Sequence, residues 1–265
     1  MILLLAVLQA HGGAWVRDPG GVYAKAGLGH FRGQEDESAA VELAYRDLQA
    51  SVYGELGLPA ALQLSVYVPY VLAENSDAVR GYLAASPGDG ELGLSRRLTK
   101  GKVASAISLG GRFPLYPDRR EPRAEAFGGW ADRFPEPGDG TVDLDLEAEV
   151  GASLGRGIWT QGSAGYRHRF GPWVDGLPWS VQLGWAPRQG DRSLGWLGVE
   201  SAGLVNLKED PETRAWTRLG GFLAVNLGRG LHAEGWGGAI PWAQASRPGA
   251  SVGLGLSWTG TLREG

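Results

Sequence analysis

The sequence predicts an all-β fold, a 12-stranded antiparallel transmembrane β-barrel of the outer-membrane type. Three observations predict it. Twelve runs alternate between apolar and polar residues, most of them are ten or more residues long, and the connections between them alternate between short and long. A tilted membrane strand needs about 9–11 residues, whereas strands of soluble proteins usually have about five or six. The length and number of these runs therefore favour strands that cross a membrane.

The clearest alternation lies in residues 141–154. Apolar residues occupy one face, and the opposite face carries the four carboxylates Asp143, Asp145, Glu147 and Glu149. Successive side chains of a strand point to opposite faces, so one face of this strand is apolar and the other is acidic. A soluble sheet with its apolar face turned inward has the same alternation. A lipocalin-like or sandwich protein is therefore the alternative fold.

The connections between the runs indicate how the barrel is oriented. The predicted strands are residues 21–32, 47–57, 61–72, 90–99, 103–113, 141–154, 158–170, 177–187, 193–207, 217–227, 231–240 and 250–262. Short connections of three or four residues alternate with longer polar ones, among them 73–89 and 114–140. Outer-membrane barrels have short periplasmic turns and long outside loops, so both ends of the barrel domain are expected in the periplasm. The outside loop 114–140 is too long for a plain hairpin, and we expect a surface loop, a plug or a gate.

Composition excludes several classes of protein. The 265 residues include no Cys, which excludes a zinc ribbon, a disulfide scaffold and a thiol nucleophile. The net charge of −4, with Lys and Arg scattered along the chain, gives no reason to expect a nucleic acid as partner. No run of about 18 apolar residues occurs, which argues against a membrane-spanning helix.

The 11 Trp residues lie mostly near the ends of the predicted strands. An aromatic girdle at each membrane interface is typical of such barrels. The predicted belt on the short-turn side contains Trp185, Trp196 and Trp258, and the belt on the long-loop side contains Trp173, Trp179, Trp216 and Trp242. Trp159 falls on the opposite face of its strand and is expected in the lumen.

Residues 1–13 are predicted to be a signal peptide, because an apolar core is followed by small residues. Cleavage is expected near Gly12 or Gly13, which leaves residues 14–265 as a single barrel domain. A buried first strand is the alternative interpretation of the same residues.

Charged side chains on the inward face are the candidate lumen and selectivity residues. They are Lys25, Glu55, Arg112, Asp143, Asp145, Glu147, Glu149, Arg167, Arg169, Arg218, His232 and Glu234. Two interpretations remain open. An acidic wall that faces a basic wall sets a transverse field and selects small polar solutes. Alternatively, the same charges pair with each other and fill a narrow lumen.

The sequence predicts no enzyme. It has no His-Glu-x-x-His motif and no phosphate-binding glycine loop. His232 and Glu234 share the inward face and resemble a base with its orienting group, but ordinary strand residues explain them better. The acidic row runs along a strand rather than around a loop, so a calcium site is not expected. No metal or cofactor is predicted.

Several segments resemble a family of Gram-negative outer-membrane proteins. These are GAWVRDPGGVYAKAG at 13–27, GDGELGLSRRL at 88–98, GDGTVD at 138–143, VGASL at 150–154 and GYRHR at 165–169. They are similar to the family named for the "MetA-pathway of phenol degradation", also called putative transporters. The resemblance implies an outer-membrane barrel with a proposed role in uptake of small, often aromatic compounds. No functional residue carries over, and the chain departs from common barrels by ending at 261–265 without a terminal aromatic residue.

The expected function follows from these points. We expect a barrel in the outer membrane of a Gram-negative bacterium that acts as a passive channel or binding pore for small aromatic or polar solutes. Expected partners are outer-membrane lipid, the solute and the barrel-insertion machinery. The alternatives are a non-conducting structural or adhesive barrel and an outer-membrane lipid hydrolase.

Overall fold

Twelve antiparallel strands form a closed barrel in the computed structural model, which describes residues 14–33, 43–117, 133–138, 140–190, 192–210, 213–244 and 247–262. The strands are β1 Gly21–Gly33, β2 Ala44–Leu58, β3 Leu62–Ser76, β4 in two segments Gly81–Pro87 and Asp89–Thr99, β5 Val103–Pro114, β6 Val142–Gly155, β7 Ile158–Phe170, β8 Gly176–Trp185, β9 Gly195–Asn206, β10 Ala215–Gly228, β11 Leu231–Gln244 and β12 Gly249–Thr261. A 3-10 turn at Pro59–Ala61 joins β2 to β3. Two short strands, Arg188–Gln189 and Arg192–Ser193, pair within the connection between β8 and β9.

The barrel closes because β1 pairs with both β2 and β12. The register between the first and last strands runs from Gly21 opposite Thr261 to Gly33 opposite Gly249. Closure leaves no free sheet edge, so backbone groups are satisfied between strands, as a hydrocarbon environment requires. The predicted fold class and strand number are confirmed.

The outer surface is apolar and the inner surface is polar. Val142, Leu144 and Leu146 of β6 are all exposed, and Leu254 of β12 is 71% exposed. On the inward face, Lys25 is only 5% exposed. Apolar side chains therefore face away from the lumen, as is required of a barrel surrounded by lipid. Among the described residues, no helix has the length and hydropathy needed to span a membrane.

The predicted long connection at 73–89 is wrong. β3 continues to Ser76, and the segment Gly81–Pro87 pairs with the C-terminal half of β3, from Tyr70 to Ser76. A tight turn joins them, because the carboxylate of Asp77 accepts hydrogen bonds from the backbone N–H groups of Val79 and Arg80 at 2.8 and 2.7 Å. The strand β4 is interrupted at Gly88, next to Pro87, whose ring nitrogen has no hydrogen to donate.

The predicted aromatic girdle is confirmed for some residues and wrong for others. Trp185, Trp242 and Trp258 are exposed on the outer surface. Trp196 and Trp216 instead point inward, where Trp196 contacts the ring of His232 and Trp216 packs on buried lumen residues. Proximity to a strand end does not decide the face of a strand, and a register shift between Thr217 and Leu219 disturbs the alternation near Trp216.

Candidate functional site

A cavity of about 470 Å³ lies in the half of the lumen near the short turns. Six aromatic side chains line it: Trp15, Tyr23, Trp159, Trp196, Phe222 and Trp236. The polar side chains in its wall are Arg17, Lys25, Ser153, Gln161, Gln182, Glu234 and Thr259. Ligand pockets in proteins have volumes of about 300–1,000 Å³ and apolar walls with a few polar groups. The cavity is therefore of the size and composition that bind small molecules.

Inward glycines leave room for the indole rings of the cavity. A Cβ atom added to Gly253 would lie 2.3 Å from Cε2 of Trp236, and one added to Gly27 would lie 2.7 Å from its Cη2. Gly184 has the same relation to Trp159, at 2.3 Å from Cε2. The rings thus lie close against the barrel wall instead of crossing the lumen. This packing leaves space beside the rings for the cavity.

The segment before β1 lies inside the barrel, a placement that the sequence analysis missed. Ala14 and Val16 are buried, and the ring of Trp15 meets that of Trp159 edge to face at 6.2 Å between centroids. The Nε of Arg17 lies 2.5 Å from Oε2 of Glu55, and its backbone N–H donates to the side-chain carbonyl of Gln63 at 2.9 Å. The segment therefore forms the floor of the cavity. No periodic pattern marks so short a segment in the sequence.

A second anchor holds this segment at the periplasmic rim. The carboxylate of Asp18 accepts hydrogen bonds from Lys100 and from Arg97, both at 2.9 Å. These contacts, led by the Lys100 hydrogen bond, hold the pKa of Asp18 below its ordinary value. Asp18 therefore stays ionised at neutral pH and ties the segment to the connection between β4 and β5.

A buried ion pair forms one wall of the cavity. Nζ of Lys25 lies 2.6 Å from Oε2 of Glu234 and 4.3 Å from the ring centre of Trp236. Glu234 also accepts hydrogen bonds from Tyr23 at 2.9 Å and from Ser257 at 2.5 Å. Tyr23, Ser257 and Trp236 thus fix the pair of one carboxylate and one ammonium, and the two charges of the pair cancel.

The half of the lumen between β3 and β7 is lined by charged and small side chains. Arg167 forms two hydrogen bonds of 2.7 Å with Asp145, and its Nε lies 3.9 Å from Asp143. Arg169 lies 3.9 Å from the same carboxylate, and Arg112 lies 3.1 Å from Glu91. The acidic row is therefore paired with arginines at its extracellular end.

The other end of the acidic row has a different environment. Glu149 accepts a hydrogen bond of 2.5 Å from Ser108, whose oxygen lies 2.8 Å from that of Ser95. A smaller cavity of about 100 Å³ lies in front of these residues and of Glu147. Here carboxylates and hydroxyls face the lumen, together with the rings of Tyr53 and Tyr67.

The structure places all twelve predicted lumen residues on the inner side of the barrel. It brings Lys25 together with Glu234, and Asp143 and Asp145 together with Arg167. Among the described hydrogen bonds none joins His232 to Glu234: Glu234 is held by Lys25, and the ring of His232 lies 4.7 Å from that of Trp196. Arg218 lies 3.9 Å from Glu200, an acid that the prediction did not include.

The extracellular half of the lumen contains an apolar cluster. Its buried members are Phe31, Tyr45, Val71, Ala73 and Ile240, with Trp216 and Ala243 packed against them. Residues 118–132 and 139 of the predicted gate loop lie outside the described residues. Within the described part, Arg133 binds the carboxylate of Asp77 at 2.7 Å, and Asn75 donates to the backbone carbonyl of Arg133 at 2.8 Å. This part of the loop covers the inward face of β3 and β4.

Two segments of the chain contain the spacing of a serine nucleophile motif. The spacing Gly-x-Ser-x-Gly occurs at 151–155 and 249–253, but both segments are parts of continuous antiparallel strands. A serine nucleophile of this motif needs a sharp turn from a strand into a helix. Among the residues that the structure describes, no group of three or more His, Asp or Glu side chains is arranged to hold a metal ion.

A closed 12-stranded barrel with an apolar outer surface, aromatic residues near its rim and a polar lumen defines the class. The protein has the fold of an outer-membrane β-barrel, and the lumen is its candidate site.

Solved structures confirm this fold. An outer membrane channel from Pseudomonas putida F1 matches with a TM-score of 0.69 at 11% identity, over 92% of this chain and 97% of that one. The NanC porin matches with a TM-score of 0.54 at 6% identity, over 89% and 98% of the two chains. The translocator domain of autotransporter NalP from Neisseria meningitidis matches with a TM-score of 0.52 at 13% identity, over 91% and 89%. No family model matches the sequence, and no curated protein does.

Proposed function

We propose that the protein is a passive outer-membrane channel that binds small aromatic solutes in its lumen during their passage. The aromatic-walled cavity of about 470 Å³ is the observation that carries this proposal. An apolar cavity of about 150 Å³ already holds benzene, so this one accepts a substituted single ring. The shared fold with an outer membrane channel and a porin supports the proposal. The more specific resemblance to the phenol-degradation family stays a prediction.

The cavity separates a ring from bulk water and offers polar partners at its edge. Trp159 and Phe222 stack at 6.1 Å between centroids and supply a flat apolar wall. Gln161 and Gln182 face the same cavity and offer amide groups to a hydroxyl or carbonyl substituent. Passage toward the periplasm requires the segment 14–20 to move, because it forms the floor.

Flux into liposomes tests the proposal. Liposomes that contain the purified protein should take up phenol faster than protein-free liposomes, and the rate should saturate as the phenol concentration rises. Trp159→Ala together with Phe222→Ala should raise the phenol concentration at which the rate saturates. Leu183→Ala with Val199→Ala, two truncations on the lipid-facing surface, is the matched control. Absence of protein-dependent flux would instead support a non-conducting barrel, which the apolar cluster in the extracellular half of the lumen favours.

A selectivity role for the acidic row is also proposed. Asp143 and Asp145 are paired with arginines, whereas Glu149 has no cation within ion-pair distance in the described part of the chain and faces the lumen beside Glu147. Replacing both glutamates by Gln should move the reversal potential of the channel in a KCl gradient toward anions. Glu74→Gln, which removes a carboxylate from the outer surface, is the control. An unchanged reversal potential would exclude the row from ion selection.

The expectation that the protein is not an enzyme stays a prediction. A carboxylate, Asp175, lies 3.1 Å from Nδ1 of His168 on the outer surface, but the hydroxyl on the same carboxylate belongs to Tyr166. Release of fatty acid from phospholipid vesicles by the purified protein would establish the lipid-hydrolase alternative.

A further inference from the structure

Two of the short turns have the same sequence and the same backbone conformation. Gly155, Arg156 and Gly157 have φ angles of 88°, 52° and 81°. The turn formed by Gly228, Arg229 and Gly230 has φ angles of 97°, 51° and 78°. The left-handed region suits glycine, and asparagine or aspartate to a lesser degree, but it is unfavourable for arginine. Ala60 and Ala61 of another short turn also have positive φ angles. The feature that the two identical turns share is an arginine at their centre.

Each turn lies beside a tryptophan of the outer surface. A Cβ added to Gly157 would lie 3.5 Å from Cδ1 of Trp185, and one added to Gly230 would lie 3.5 Å from Nε1 of Trp258. Backbone hydrogen bonds join the same pairs of strands, from Ala186 to Gly157 at 2.9 Å and from Thr259 to Gly230 at 2.8 Å. Tryptophans on the outer surface of a barrel sit at the level of the lipid headgroups. The two arginines lie just beyond this level.

The rest of the periplasmic rim has the same charge. Exposed basic residues of the other short connections are Lys100, Lys102, Arg188 and Arg192. Among the described residues of these turns there is no Asp or Glu, and neither Arg156 nor Arg229 has an ion-pair partner in the described part of the chain. Among the described residues, Asp18, which binds Lys100, is an acid that reaches this rim. The described connections at the opposite rim, by contrast, carry both signs, for example Asp77, Arg80, Asp175 and Lys208.

We propose that this periplasmic rim, led by Arg156 and Arg229, binds the phosphates of anionic phospholipids in the inner leaflet of the outer membrane. The guanidinium groups donate paired hydrogen bonds to phosphate oxygens, while the neighbouring indoles of Trp185 and Trp258 pack at the headgroup level. The free energy of this contact offsets the unfavourable conformation of the two arginines. The barrel is thereby held at a defined depth and surrounds itself with anionic lipid on its periplasmic side.

Native mass spectrometry of the detergent-purified full chain tests this proposal. The protein is titrated with phosphatidylglycerol or with phosphatidylcholine of identical acyl chains, and bound lipids are counted. The wild type should bind more phosphatidylglycerol than phosphatidylcholine. In R156N/R229N the ratio of bound phosphatidylglycerol to bound phosphatidylcholine should fall by a factor of about five for each arginine removed. Asparagine is tolerated in the left-handed region, so this variant keeps the turn geometry.

The control R80N/K208N removes two positive charges from the opposite end of the barrel and should keep the preference. Equal retention of both lipids by the wild type would overturn the proposal and point to an acidic periplasmic protein as the partner of the rim. The same loss in both variants would also overturn it, because net charge alone would then explain the binding. Unchanged electrophoretic mobility of the unheated barrel verifies that each variant is folded.

Discussion

Glu55 and Glu74 show how the face of a strand decides the role of a carboxylate. Glu55 points into the lumen, is fully buried, and is held by Arg17 at 2.5 Å and by Tyr53 at 2.7 Å. Glu74 points outward and pairs with the exposed Arg46 at 2.6 Å. An exposed pair contributes about 0–1 kcal/mol, whereas removal of one partner from a buried pair costs about 3–5 kcal/mol. The inward carboxylate is therefore the one on which local structure depends.

Asp175 provides a residue-scale prediction for pH. Hydrogen bonds from the Tyr166 hydroxyl and then from the backbone N–H of Arg169, with a contact to His168, lower the pKa of Asp175 to about 2. Because this pKa lies below the ordinary value of 3.8, the ionised carboxylate stabilises the folded connection above about pH 4. That stabilisation is lost as the pH falls toward 2.

Hydrogen exchange measures this effect. Amide protection at Arg169, corrected for the intrinsic pH dependence of exchange, should fall between about pH 4 and pH 2 in the wild type. In Asp175→Asn the protection should be lower at neutral pH and should no longer change over this range. Asp18→Asn, at the opposite rim, is the control and should behave as the wild type does at this position.

At the scale of elements, the segment 14–20 and the strand β6 together form the floor of the cavity. The segment is held at three points, by Trp15 on Trp159, by Arg17 on Glu55 and by Asp18 on Lys100. A Cβ on Gly151 would lie 2.5 Å from the ring of Trp15, so β6 has a small residue where the segment crosses it. The floor of the cavity is thus a separate element fixed by a few side chains rather than by a continuous ladder of backbone hydrogen bonds.

Arg17→Ala should open this floor. The substitution leaves the buried Glu55 without its cation, at a cost of about 3–5 kcal/mol if the segment stays in place, so displacement of the segment is favoured. Single-channel recording should show a larger conductance or longer open times than in the wild type. Arg46→Ala removes the same side chain from the outer surface and should leave the conductance unchanged. Equal conductance in Arg17→Ala would show that the segment does not limit passage.

At the scale of the whole molecule, the apolar surface defines where the bilayer lies. Across the closing seam, Leu254 faces Leu28, and Trp258 faces Ala24 nearer the periplasm. Arg32 faces Arg46 at the extracellular end of the neighbouring strand pair. Charged side chains thus bound the apolar surface on one side and an aromatic residue bounds it on the other. Leu254 lies midway between these limits.

Leu254→Arg should destabilise the barrel in lipid by about 2–4 kcal/mol, because it places a charge near the bilayer midplane. Leu262 lies on the same face, beyond Trp258 and close to the membrane interface. Leu262→Arg should therefore lower the free energy of unfolding by only about 0–1 kcal/mol. Urea unfolding of protein refolded into phospholipid vesicles gives both values. Equal destabilisation by the two substitutions would contradict the assignment of the bilayer to this surface.

The sequence was sufficient for features that depend on local order. Alternation within a run decides which residues share a face, and so the inward positions of Lys25, Asp145 and Glu234 could be predicted. The lengths of the runs and of their connections decided the strand number, and the orientation inferred from the connections stays a prediction. Errors occurred where a local irregularity intervened, as in the tight turn at Asp77 and in the register shift near Trp216.

Only the tertiary structure decided which residues meet across the lumen. Lys25 and Glu234 are more than two hundred positions apart, and their contact depends on the register between β1, β12 and β11. The placement of Trp15 and Arg17 inside the barrel has no periodic signature, because it is made by side-chain contacts of a non-strand segment. The chain alone thus determined a lipid-facing barrel with a charged interior. Closure of the barrel decided that the charges of this interior form ion pairs, that the segment 14–20 forms a floor and that aromatic rings line the cavity. These contacts join parts of the chain that are far apart in the sequence.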